Sequence, residues 1–207
     1  MKKKVVVLGS TGSIGENTFR VLMNFPEEFE VLGLAARSRT DRLAEQAAAL
    51  RVRYAVTGDE SRRDELARKL PAGIRCGAGL QDMIELASLP EADIVVCAVV
   101  GTAGFLPVAG AIRGGKTIAL ASKEIMVMAG DWINALLDRN PRARIVPVDS
   151  EHSAIYQCLQ GRRPDEVARL VLTASGGPFR TASRETIAKA TFEQAMHHPT
   201  WNMGRKV

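Results

Sequence analysis

Two carboxylates stand two residues apart in Ile145-Val146-Pro147-Val148-Asp149-Ser150-Glu151-His152, where a short apolar run ends. In an extended chain, residues i and i+2 face the same side. Asp149 and Glu151 would then converge, with Ser150 turned the other way. Two converging oxygen donors suit a hard divalent cation such as Mg²⁺ or Mn²⁺. The same pattern is also common in solvated turns, so the pair by itself leaves both readings open.

Other residues with chemical potential flank it. Gly9-Ser10-Thr11-Gly12-Ser13-Ile14-Gly15 follows an apolar run and opens a helical pattern. In that context glycines let the backbone approach a pyrophosphate at a helix N-terminus. A ligand-free turn could carry the same GxxGxxG spacing. At the end of the next apolar run the chain reads Ala35-Ala36-Arg37-Ser38-Arg39-Thr40, without an acid. An NAD site places a carboxylate there for the ribose 2′-hydroxyl, and that carboxylate would repel a 2′-phosphate. Arg37 can grip such a phosphate bidentately and Ser38 can donate to it, so the residues favour NADPH over NADH.

Ala121-Ser122-Lys123-Glu124 offers Lys123 as a contact for an anionic substrate group, or else as part of a helix cap. Ser175 and the glycines after it suit either a phosphate nest or a tight turn. His198 and Trp201 share a Pro-containing loop, His197 to Gly204, which could act as a flap binding an anion. No HxxxH or HExxH spacing supports zinc.

These residues need a scaffold, and the apolar periodicity predicts one. Strands are expected at Val5–Leu8, Val31–Ala35, Tyr54–Val56, Ile94–Val99, Thr117–Leu120 and Ile145–Val148. Helices are expected between them at Ile14–Asn24, Arg42–Leu50, Glu60–Leu70, Phe105–Arg113 and Ile125–Arg139. Strands apolar on both faces alternating with amphipathic helices predict an α/β, doubly wound, parallel Rossmann-type sheet. A short helix, Ser153–Leu159, and a further strand, Ala168–Thr173, then begin a second α/β catalytic domain. The expected domains are residues 1–149, binding NADPH, and 150–207, the N-terminal part of a catalytic or connective domain.

Composition narrows the partners. The 207 residues are 46% hydrophobic and 25% charged, ordinary for a globular chain. The net charge of +5 is scattered rather than striped, and only six Phe, two Trp and two Tyr are present. That argues against nucleic acid and is compatible with an anionic small substrate. Three cysteines without a CxxC pair point to a reducing cytoplasm. The apolar runs are too short to cross a bilayer or to serve as a signal peptide.

Taken in register, five motifs resemble the 1-deoxy-D-xylulose 5-phosphate reductoisomerase family, NADPH-dependent enzymes of non-mevalonate isoprenoid biosynthesis. They are Gly9 to Gly15, Ala121 to Glu124, Pro147 to His152, Ser175 to Phe179 and His198 to Lys206, in the family's order and at about its spacings. The resemblance implies rearrangement of a metal-chelated sugar phosphate to a branched aldehyde. Hydride from NADPH then gives 2-C-methyl-D-erythritol 4-phosphate. It implies Mg²⁺, Mn²⁺ or Co²⁺ as the metal and a homodimer for the full-length enzyme.

By the resemblance, Thr11, Gly12, Ser13 and Ile14 hold the NADPH pyrophosphate. Ala36, Arg37 and Ser38 take the adenosine end, and Ser122, Glu124 and Gly204 touch the cofactor elsewhere. Asp149 and Glu151 bind the metal. Lys123, Ser150, Glu151, Ser175 and His198 contact substrate, and Trp201 and Met203 belong to the flap. Lys123, Asp149, Glu151 and His198 are the expected catalytic set.

Two departures qualify it. Ser122 and Arg39 stand where many relatives carry Asn. The family also continues past Gly-Arg-Lys to a third metal-binding glutamate and a C-terminal helical domain, so a truncated form is expected. Such a form would bind NADPH better than it turns over substrate. One competing reading is a non-catalytic NADPH-binding module completed by a partner chain. Another is a semialdehyde-dehydrogenase-like enzyme, which would need a nucleophilic cysteine, and Cys158 lies in no such context.

Overall fold

The computed structural model describes residues 1–174 and 176–197. They form two compact units, Met1–Tyr156 and the chain from Gln157 onward. The first unit alternates strand and helix: β1 Lys3–Leu8, α1 Ser13–Asn24, β2 Phe29–Ala36, α2 Thr40–Leu50, β3 Tyr54–Thr57, α3 Arg63–Lys69 and β4 Arg75–Ala78. It continues through α4 Gly79–Ala87, β5 Ile94–Cys97, α5 Phe105–Arg113, β6 Thr117–Leu120, α6 Lys123–Arg139, β7 Arg144–Pro147 and α7 Ser150–Leu159, which runs across the boundary. The strands make one sheet in the order β4-β3-β2-β1-β5-β6-β7, with every pairing parallel.

The apolar runs explain this arrangement. Within β1, Val6 and Leu8 join a core with Leu86, Ile112, Ile125 and Ile133, which come from α4, α5 and α6. Val5 and Val7 face the other way, toward Leu22, Leu43, Ala47 and Leu66 of α1, α2 and α3. Side chains alternate across a strand, so a strand buried on both faces has no polar position to spare. The strand order reverses between β1 and β5. In doubly wound sheets the ligand crevice opens at that point, outside the carboxyl ends of the strands.

The predicted α/β doubly wound sheet is present, with several local differences. Residues 75–87 fold as β4 and α4, which periodicity did not reveal. Arg75-Cys76-Gly77-Ala78 is an edge strand with a partner on one side only, so it needs no continuous apolar run. The predicted helix at Glu60–Leu70 divides into a 3₁₀ turn, Glu60–Arg62, and α3. Helix α6 begins two residues early and contains a non-helical residue, Ala129 (φ −143°, ψ 29°).

The second unit departs further. The predicted strand Ala168–Thr173 is absent, since residues 167–174 are neither helix nor strand. A strand exists only by pairing its main-chain groups with a neighbour. Among the described residues none supplies a ladder, and Leu170, Val171 and Leu172 are 60–64% exposed. A 3₁₀ turn, Pro164–Glu166, and two short helices, α8 Arg184–Ala188 and α9 Phe192–Met196, complete this unit. None of its described residues is buried. Local caps hold its helices: Ser183 Oγ accepts from Thr186 N at 3.2 Å, and Thr191 and Gln194 form a capping box. Among the described residues no helix is long and apolar enough to cross a membrane.

Candidate active site at the carboxyl edge of the sheet

Each strand end is tied to the next by a main-chain hydrogen bond. Gly9 N and Ser10 N donate to Ala35 O at 2.7 and 2.9 Å, and Ala98 N donates to Leu8 O at 2.8 Å. Ala121 N donates to Cys97 O at 3.0 Å, and Val148 N to Leu120 O at 2.9 Å. The loops after β2, β1, β5, β6 and β7 therefore leave the sheet along one edge, bringing Arg37, the Gly9 loop, Lys123 and Asp149 to the same side.

The turn after β1 is shaped by glycine. Gly9 has φ +82°, and a Cβ there would lie 2.5 Å from Ala98 O. At Gly15 a Cβ would run into Gly9 O and the Ser10 carbonyl, so α1 can close on the loop only with glycine at that position. Gly12 precedes α1 with extended geometry and offers no side-chain cap. Its own N–H is spent on Gly9 O at 3.0 Å. The main-chain N–H groups of Thr11, Ser13 and Ile14 make no hydrogen bond among the described residues. Thr11 is buried nonetheless. Orphan donors at a helix N-terminus are an anion site in waiting.

At the end of β2, Ala36 is buried while Arg37 is exposed and Ser38 half-buried. The backbone there is held firmly: Thr57 Oγ1 donates to Arg37 O at 2.9 Å, and Asp59 N donates to the same oxygen at 3.0 Å. The guanidinium of Arg37 is thus carried on a fixed main chain and faces solvent.

The carboxylate pair does not adopt the extended geometry that its spacing allows. β7 ends at Pro147, and α7 starts at Ser150. Asp149 caps that helix through its carbonyl, which accepts from Ser153 N at 2.8 Å. Glu151 lies in the first helical turn, where its Oε2 accepts from Ser150 Oγ at 2.7 Å. Helix formation beats strand continuation here because β7 has run out of register partners at Leu120–Pro147.

Asp149 collects two cationic or polar neighbours. Lys123 Nζ is 3.0 Å from its Oδ2, and His152 Nδ1 is 2.8 Å from its Oδ1. Its side chain is only 14% exposed. Burial pushes this carboxyl up, but the hydrogen bonds from His152 and Lys123 outweigh it and hold the group at about 2. Lys123 is raised by the same hydrogen bond. Ser122, which precedes α6, is buried and donates its hydroxyl to Val99 O, fastening the end of β6 to the loop after β5. Glu124 occupies the first turn of α6. Ser175, His198 and Gly204, with Trp201 and Met203, lie outside the described residues. Among the described residues no group of three or more His, Cys, Asp or Glu side chains is placed to hold a metal.

Sequence reasoning missed two supports of this edge. His152 stood in the motif without a role, yet it faces Asp149. Gln46 is fully buried in α2 and donates to Ser10 O at 3.1 Å. The signal was legible, since Gln46 interrupts the buried face formed by Leu43, Ala44 and Ala47. No cysteine stands out as a nucleophile: Cys97 is buried and its thiol is pushed up to about 11 by that burial.

A doubly wound parallel sheet with a glycine turn at its switch point defines a nucleotide-binding type of α/β protein. Comparison makes the assignment specific. A family model described as 1-deoxy-D-xylulose 5-phosphate reductoisomerase matches residues 5–130, and one for the C-terminal domain of that enzyme matches residues 145–207. The chain belongs to the 1-deoxy-D-xylulose 5-phosphate reductoisomerase family.

The reductoisomerase of Thermodesulfovibrio yellowstonii is 44% identical over 205 residues, covering 99% of this chain and 53% of that protein. That of Pelotomaculum thermopropionicum is 46% identical over 208 residues, with the same coverage of 99% and 53%. The solved reductoisomerase of Zymomonas mobilis in complex with NADPH superposes with a TM-score of 0.91 at 38% identity, covering 96% of this chain and 52% of that one. A reductoisomerase in complex with NADPH, fosmidomycin and magnesium gives 0.87 at 35% identity, covering 98% and 52%. The chain spans about half the length of the relatives it matches.

Proposed function

We propose that this chain carries the NADPH-binding part and two metal-binding carboxylates of a 1-deoxy-D-xylulose 5-phosphate reductoisomerase. The whole enzyme would convert that sugar phosphate to 2-C-methyl-D-erythritol 4-phosphate. The observation that carries the reading is the single sheet edge on which the Gly9 loop, Arg37, Lys123 and Asp149 meet. Residues 1–149 serve the cofactor and 150–207 begin the catalytic part. The relatives solved with NADPH and with magnesium support both groups as ligands here.

The residues fit NADPH. The N–H groups of Thr11, Ser13 and Ile14, with the turn that Gly12 completes, take the pyrophosphate. Ala36, Arg37 and Ser38 receive the adenosine 2′-phosphate, with no acid to repel it. Ser122, Glu124 and Gly204 contact the cofactor further along. The donor set of Asp149 and Glu151 fits Mg²⁺, Mn²⁺ or Co²⁺, since hard cations take carboxylate oxygens. A bound cation would hold the substrate's carbonyl and hydroxyl oxygens together and stabilise negative charge. Lys123 orients Asp149 and, with Ser150, Glu151, Ser175 and His198, contacts substrate. Each oxygen of Asp149 holds one hydrogen-bond partner and keeps a further lone pair for a cation.

Three unpaired thiols, Cys76, Cys97 and Cys158, agree with a reducing cytoplasm. The full-length enzyme is a homodimer in this reading, with neither nucleic acid nor membrane as a partner. Titration of the 207-residue chain with NADPH, followed by cofactor fluorescence, is the direct test. Saturable NADPH binding, with much weaker NADH binding and little turnover of the sugar phosphate in Mn²⁺, is expected. Absence of NADPH binding by a folded chain would remove the proposal.

A further inference from the structure

Beneath the glycine turn lies a polar side chain with no evident business in a hydrophobic layer. Gln46 is 0% exposed and belongs to the buried face of α2. Burying an amide costs free energy unless its hydrogen bonds are replaced. Its Nε2 donates to the main-chain oxygen of Ser10 at 3.1 Å, across 36 residues of sequence. The Ser10 N–H is meanwhile bound to Ala35 O at 2.9 Å. The Ser10 backbone is therefore gripped by β2 on one side and by α2 on the other.

The consequence follows from peptide planarity. Ser10 C=O and Thr11 N–H belong to one peptide plane, and in the trans form they point in opposite directions. No cis peptide occurs in the described residues. Holding the Ser10 oxygen toward Gln46 thus turns the Thr11 N–H away from α2. That N–H has no hydrogen-bond partner among the described residues, although Thr11 is 5% exposed. A buried donor without a partner is costly unless a ligand completes it. Gln46 Oε1 is buried and has no hydrogen-bond partner among the described residues, so the Nε2 bond to Ser10 is what orients the amide. Glu16 of α1 is held below the usual carboxylate range chiefly by Arg42, with a smaller contribution from Gln46. Arg42 clasps Glu16 at 2.9 and 2.8 Å.

We propose that Gln46 is a positioning residue for the cofactor: through Ser10 O it aims the Thr11 N–H at the pyrophosphate of the dinucleotide. The proposal rests on the reading of the Gly9 loop as the pyrophosphate site. It assigns Gln46 no contact with the cofactor, only control over the direction of a donor that has one.

The test compares two ligands on the full 207-residue chain. NADPH carries the pyrophosphate, whereas 2′-AMP carries only the adenosine and its 2′-phosphate. Gln46→Leu keeps volume and burial but removes the donor. It is expected to weaken NADPH by about tenfold, the size of one misdirected hydrogen bond to a charged group, with 2′-AMP binding unchanged. Equal weakening of both ligands would mean that Gln46 only holds α2 in place, and no change in either would mean that the Ser10 oxygen needs no aiming. Both results overturn the proposal. Wild-type chain that binds neither ligand instead refutes the underlying site. Should Gln46→Leu not fold, NMR of the wild-type chain decides. The Gln46 side-chain amide should be protected from exchange, and the Thr11 amide should shift on adding NADPH but not 2′-AMP. A Gln46 amide exchanging freely, or a Thr11 amide indifferent to NADPH, overturns it.

Discussion

At the scale of single residues, the cofactor end is set by what is present and what is missing after β2. Arg37 rides on a main chain fixed by Thr57 and Asp59, and no carboxylate stands beside it in Ala35-Ala36-Arg37-Ser38. Arg37→Glu should therefore invert the preference. NADPH binding is expected to fall by about 10- to 100-fold, the equivalent of ~1.5–3 kcal/mol for a charge-assisted hydrogen bond. NADH should change little or improve, and paired titrations with the two cofactors read the ratio. An unchanged NADPH:NADH ratio would show that Arg37 is an ordinary solvated arginine. The residue types at this end were legible in sequence because each acts through local chemistry. Asp149-Ser150-Glu151 was legible as a site but not in its shape. The choice between a prolonged strand and a helix start depends on whether a neighbouring strand continues, and β6 stops.

At the scale of elements, helix clasps on one face of the sheet should make stability depend on acid pH. Arg42 of α2 grips Glu16 of α1 bidentately, and Lys69 of α3 reaches Asp41 of α2 and Glu65 at 2.6 Å each. Glu16 is lowered mainly by its hydrogen bonds to Arg42, and Glu65 is brought to about 2 mainly by Lys69 and then Thr40. A carboxyl with a lower pKa folded than unfolded binds fewer protons in the native state. Its stabilisation is complete above the ordinary value of 4.5 and is lost as pH falls toward about 2. Thermal denaturation followed downward through that interval should show a falling midpoint, and Arg42→Met should flatten the slope. Equal slopes for the two proteins would dismiss the clasp as a source of acid sensitivity. Elements with an apolar period were readable before folding: β6 falls on its expected bounds, and β1, β2 and β5 differ from theirs by at most two residues at either end. β4 was not, because an edge strand made of Arg, Cys, Gly and Ala is specified by the free flank of β3 rather than by its own pattern. The opposite error at residues 168–173 has the same origin, since Ala-Arg-Leu-Val-Leu-Thr has strand composition but, among the described residues, no strand paired with it.

At the scale of the whole molecule, the two units differ in what holds them. Met1–Tyr156 contains two buried clusters, one on each face of its sheet, whereas no described residue from Gln157 onward is buried. Segments with few buried contacts open at low free-energy cost and are cut first by proteases. Brief trypsin treatment should therefore cleave first at Arg162 or Arg169, since Pro164 protects the bond after Arg163, and leave a resistant fragment ending at one of these two residues. Mass spectrometry of the first products checks this, and initial cleavage within β1 to β7 would contradict it. NADPH should slow any later loss of the core fragment, because a ligand that binds only the native state adds about 2.7 kcal/mol at a hundred times its dissociation constant.

The main-chain bonds that link Leu8, Cys97 and Leu120 to the residues after β5, β6 and β7 also fix an interval. Neighbouring strands stand about 4.8 Å apart, so the ends of β1 and β7 are separated by three such steps, about 14 Å. That spacing is written in peptide geometry, which no single side-chain replacement alters. Evolution or a mutagenesis programme can exchange the chemical group at each station along the edge, from Arg37 to Asp149. The gauge between the stations stays constant, so a ligand must match the span that the sheet lays down.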